Sequence, residues 1–63
     1  MFDRASFIKL GERFTQRITE KEWLGLLLNH EESIIHEGRV RKLNARSLGY
    51  GVVEVYMEPE QRR

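Results

Sequence analysis

The sequence predicts an α+β fold: two N-terminal helices, at about residues 3–17 and 20–31, packed on a C-terminal antiparallel β-hairpin with arms at about 33–43 and 51–57. Three observations carry this expectation. Thr19 stands three residues before Glu22, the spacing of a capping box, with Ile18 and Trp23 at hydrophobic-staple spacing around it. Asp3 is a second good helix cap, and Phe2 and Phe7 repeat the staple spacing. From Ser33 onward the residues turn β-branched, and Val53, Val55 and Met57 alternate with Glu54 and Tyr56 at the period of a half-buried strand.

In the first helix, Phe7, Leu10, Phe14 and Ile18 recur at three- and four-residue steps and share one face. Gly11 falls within that face at a cost of about 1 kcal/mol in helix propensity. The competing reading makes residues 6–10 and 13–18 two short strands turning at Gly11-Glu12. The helical reading places Lys9, Arg13 and Arg17 in a row beside the apolar stripe. The second helix carries a wide apolar arc of Trp23, Leu24, Leu26, Leu27 and Leu28, wider than one buried face needs. Its end is expected between Asn29 and Glu32, with a longer helix to Glu37 as the alternative. In the hairpin, Gly38 marks a bulge or turn, residues 44–51 read as a long mobile link, and Glu58 onward as a frayed tail after a single domain over 1–57.

A chain of 63 residues makes one domain and buries only about 60% of its unfolded surface, so further burial by a homo-oligomer, a dimer first of all, is expected. With no Cys there are no disulfides and no thiolate metal sites. Met1 opens no charged-then-apolar leader, and no apolar run approaches the ~18 residues of a membrane span. The expectation is therefore a soluble cytoplasmic protein without a membrane partner. Charge is divided unevenly. Residues 1–38 hold five basic and seven acidic side chains and residues 39–63 six and three, a −2/+3 division beneath the net +1.

No catalytic constellation stands out. Ser6, Ser33 and Ser47 lack a nucleophile-elbow context, and His30 and His36 are six apart, off any shared helix face. Their neighbours Glu31, Glu32 and Glu37 match no zinc or calcium spacing. Gly49-Tyr50-Gly51 leads into a strand rather than a helix, so it is no phosphate loop. A non-enzymatic protein with no cofactor, metal or small-molecule substrate is expected.

What remains is binding. Arg39 and Arg41 share one face of an extended strand and Lys42 the other, with Arg46 in the link and Tyr50 beyond it. Together with Lys9, Arg13 and Arg17 these form a candidate nucleic-acid (DNA) surface for a small regulatory protein: cations for phosphates, with Arg46 or Tyr50 reaching a base. The alternative is an adaptor or inhibitor of a larger protein, with Trp23, Leu24, Leu27 and Leu28 as its interface.

Overall fold

The computed structural model describes residues 1–60. Asp3 opens the first helix, α1 (Arg4–Leu10): its carboxylate accepts from the backbone N–H of Ser6 at 3.1 Å and from the Ser6 hydroxyl at 2.7 Å. The Phe2 and Phe7 rings stack at 5.5 Å, so the expected staple forms. The helix is far shorter than the expected 3–17. It stops at Gly11, whose φ of +60° and ψ of −132° no L side chain adopts comfortably. A β-carbon there would stand 2.4 Å from Nε2 of His36.

After a single 3-10 turn (Gly11–Arg13) the chain extends into β1 (Thr15–Thr19). The alternative with a strand after Gly11 is the better one for this segment, although residues 6–10 remain helical. Thr15, Ile18 and Thr19 are β-branched and fit a pleated surface better than a helix. Consequently Phe14 meets Phe7 edge-on at 4.8 Å across a turn rather than along a helical face. Lys9, Arg13 and Arg17 likewise form no row: they lie on α1, the 3-10 turn and β1.

The second helix, α2 (Glu20–Leu28), begins where the cap predicts, with the Glu22 N–H donating to Thr19 Oγ1 at 3.1 Å. The Glu22 carboxylate does something other than close the box. It accepts from the Phe2 N–H at 2.6 Å and lies 3.8 Å from the N-terminal ammonium, tying the chain start to this helix. Its C-terminus is a Schellman arrangement, with Glu31 N–H donating to Leu26 O at 2.8 Å and His30 N–H to Leu27 O at 3.1 Å. His30 takes the left-handed position, φ 56°, that usually falls to glycine.

The expected single hairpin is instead three strands: β2 (Ser33–His36), β3 (Arg39–Gly49) and β4 (Val52–Met57). They join β1 in a curled antiparallel sheet of order β1-β4-β3-β2. Two-residue turns with positive φ at both positions, Glu37–Gly38 and Tyr50–Gly51, make the connections. The expected mobile link 44–51 is therefore mostly strand. Its extra length is absorbed by a bulge at Leu48, between Ser47 and Gly49. The first half of β3 pairs with β2 and the second half with β4. Beyond β4, Glu58 N–H donates to Lys42 O at 2.9 Å. The rest of the expected tail, residues 61–63, lies outside the described residues.

Both helices pack on one face of the sheet. There Phe7 and Trp23 meet Ile18, Ile34, Leu43, Val53, Val55 and Met57 in one core. Arg4 binds α1 to the start of β2 through the carbonyls of Glu31 (2.6 Å) and Ser33 (2.7 Å), which occupies part of that edge strand. Among the described residues no helix is long and apolar enough to cross a membrane.

Two predictions follow from the helix ends. Replacing His30 by Gly removes a left-handed L residue and is expected to stabilise the fold by about 1 kcal/mol, read as a shift in the urea midpoint at unchanged slope. The bonds from Ser6 hold the Asp3 carboxyl below its ordinary value of 3.8. Because its folded value is the lower one, its stabilisation is complete above the unfolded value and disappears as pH falls through the folded one. The stability gap between the native chain and Asp3→Asn should therefore narrow on acidification from about pH 5 to pH 2. A gap independent of pH across that range would count against this cap.

Candidate nucleic-acid interface

Strand alternation divides the sheet into two faces. Residues directly opposite one another share a face, so the pairs Ile18–Val53, Ala45–Val55 and Leu43–Met57 point to the helices. The intervening pairs, Arg17–Glu54, Arg46–Glu54, Thr15–Tyr56, Asn44–Tyr56 and Ser33–Lys42, point away from them. Neither helix covers this outer face. Its middle is β4, with Glu54 between Arg17 and Arg46, and Tyr56 between Thr15 and Asn44.

The Arg46 guanidinium is the most structured element of this face. Its centre lies 4.6 Å from the Tyr56 ring centroid, and its Nε is 3.4 Å from Glu54 Oε1. Its side chain is still 59% exposed, so the planar cation is held in place while open to solvent. Such a cation–π contact is worth about 0.5–1 kcal/mol at an exposed site. Among the described residues, neither Arg17 nor Lys42 has an ion-pair partner. Glu58 accepts from Asn44 Nδ2 at 2.9 Å, so Glu54 and Glu58 stand on this face with Arg17, Lys42 and Arg46. A shallow depression beside Tyr56, lined by Glu58, Pro59 and Glu60, is acidic and unsuited to an anion.

The other expected cations are elsewhere. Arg41 is on the helix side of the sheet with its side chain 11% exposed, paired with Glu12 and donating to Glu58 O at 2.9 Å. Arg39 is ion-paired with Glu60 at 2.8 Å. Lys9 and Arg13 are exposed on α1 and the 3-10 turn, off the strands that form the outer face. Arg46 stands on a strand, not in a loop, and Tyr50 projects fully exposed from the β3–β4 turn.

Among the expected interface residues, Trp23 is 8% exposed and belongs to the core, whereas Leu24, Leu27 and Leu28 are 50%, 36% and 80% exposed. The apolar arc of α2 thus divides: Trp23 and Leu26 inward, Leu24 and Leu28 outward. His36 has a role that reading the sequence missed. Its Nδ1 donates to the Ile8 carbonyl at 2.7 Å, so that nitrogen carries the ring proton. A glycine in an otherwise helical run is the one sequence signal of the ring packed there. Among the described residues no group of His, Asp and Glu is arranged to hold a metal. No family model, curated protein or solved structure matches this chain.

These placements separate architectural from available cations. Arg41→Ala, which strands Glu12 and an accepting carbonyl, should destabilise the chain by about 1–2 kcal/mol in urea titration. Arg17→Ala, with no partner to lose, should stay within about 0.5 kcal/mol of the native chain.

Proposed function

We propose that this chain is a small non-enzymatic nucleic-acid-binding protein, and that it holds a single strand across the outer face of its sheet. The observation that carries this reading is the uncovered face itself, where Arg17, Lys42 and Arg46 stand around Tyr56 with no helix over them.

The chemistry follows from that set. Arg17 and Lys42 supply charge to phosphates without first giving up an ion pair. Arg46 presents a flat cation already stacked on an aromatic ring, and a base stacks on the free side of such a plane as it does on an aromatic side chain. Tyr50, at the tip of the same hairpin, adds an exposed ring. The width of the face favours a single strand over a duplex groove. Where Arg17, Tyr56 and Arg46 stand, three strands about 4.8 Å apart span roughly 10 Å before side chains are added. The major groove, about 12 Å wide, admits a helix or a two-stranded ribbon.

Fluorescence anisotropy with a labelled random single-stranded oligonucleotide, titrated at salt concentrations from about 50 to 200 mM, tests this reading. With three neutralised phosphates, log affinity should fall against log salt with a slope of about −2. Each of Arg17→Ala, Lys42→Ala and Arg46→Ala should flatten the slope by about 0.7, while Lys9→Ala leaves it unchanged. Affinity that ignores salt, or a Lys9→Ala effect equal to the others, rejects this face as the binding surface.

A further inference from the structure

The outer side of α2 carries two features that no described residue of the protomer explains. Gly25 sits in the middle of a nine-residue helix, where glycine is the poorest former after proline. Nothing in the protomer needs it: a β-carbon there would meet no atom within 4 Å. Lys21 lies in the first turn between Glu20 and Glu22, the acids that suit the positive end of the helix dipole, while the last turn carries no cation at all.

These two residues share a face with the exposed leucines. Lys21, Leu24, Gly25 and Leu28 follow one another at steps of three, one and three, opposite the inward Trp23 and Leu26. Leu24 is 50% and Leu28 80% exposed, so the apolar surface is real and none of the described residues covers it.

We infer that this face of α2 is the contact between two copies of the chain, crossed antiparallel about a two-fold axis passing between Leu24 and Gly25. Leu24 of one protomer then seats on the partner's Gly25, where the missing side chain lets the backbones approach. Lys21 lays its stem along the partner's Leu28 and brings its ammonium to the negative end of the partner's helix. Both irregularities are resolved together, and twice over, because the same patch supplies the ridge and the gap, the cation and the helix end. That self-complementarity is what an isologous interface requires, and it is why a second copy fits better than an unrelated protein. Since α2 covers the inner side of the sheet, the pairing leaves both outer sheet faces exposed. The inference is independent of the nucleic-acid reading.

The contact is small. A nine-residue helix is about 13–14 Å long, so the pair buries less than the roughly 800 Å² per partner of a standard stable interface. Association in the micromolar range follows.

Sedimentation equilibrium on the full chain, from about 5 µM to 1 mM, tests it by resolving dissociation constants across that range. The native chain should approach twice the protomer mass and stop there. Leu28→Lys, which alters an exposed side chain and whose fold circular dichroism would verify, should raise the dissociation constant about 30-fold or more. Gly25→Ala is the sharper probe because its two effects oppose each other. It should raise the melting temperature of the dilute monomer by improving the helix, yet weaken dimerisation about tenfold. A native chain that stays monomeric to 1 mM overturns the inference. So do association unchanged in both variants and masses that keep growing beyond two.

Discussion

The imidazole of His36 lies against Gly11 so closely that no side chain fits at that position, and its Nδ1 donates to the last turn of α1 through Ile8 O. This contact ends the first helix and lets the chain leave it in an extended direction. Everything downstream uses that departure. β1 reaches β4 and completes the sheet on one side, Thr19 is delivered to the end of a strand where it caps α2, and Phe14 closes over Phe7 from the turn. Had the helix continued, β4 would lack its second neighbour and the core its Ile18.

The resulting molecule has a single core and two faces that the core does not use. Among the described residues, all eight buried apolar side chains lie between the helices and one side of the sheet. Among the described residues no further element covers the other side of the sheet or the back of α2. The polar ties at the periphery, Arg4 to the carbonyls of Glu31 and Ser33, Glu22 to the chain start and Arg41 to Glu12, serve to fasten short elements to one another. They also remove cations from the surface. Of the basic residues that the sequence offers for an anionic partner, Arg41 is architectural and Arg39 is paired, whereas Arg17, Lys42 and Arg46 surround Tyr56 on open strands.

Where local chemistry is self-sufficient, reading the sequence succeeds. Asp3 and Thr19 are caps, Phe2 and Phe7 form a staple, and α2 ends before Glu32, where a continued helix would have put Glu31 in the apolar arc. The alternation of Val53, Val55 and Met57 with Glu54 and Tyr56 correctly assigns the two sides of β4. It also places Tyr56 opposite the core, so part of the candidate site was legible. The apolar steps from Phe7 to Ile18 mislead because three- and four-residue spacing arises equally when a helix, a turn and a strand each give residues to one core. Tyr50-Gly51 preceded by Gly49 resembles a loose loop, yet a bulge and a two-residue turn use those same residues.

The sequence by itself determines the two helix starts, the mixed α+β class and which side of the last strand is apolar, because each depends on residues within a few positions of one another. The tertiary structure alone decides that Gly11 ends a helix, that the segment after it becomes a strand, that Arg41 is enclosed while Arg46 stays open, and that Trp23 is hidden while Leu24 and Leu28 are not. Those outcomes depend on tertiary partners, such as Glu12 and Glu58 for Arg41, 29 and 17 residues away, and Ile8 for His36, 28 away, whose proximity exists only once the sheet has closed.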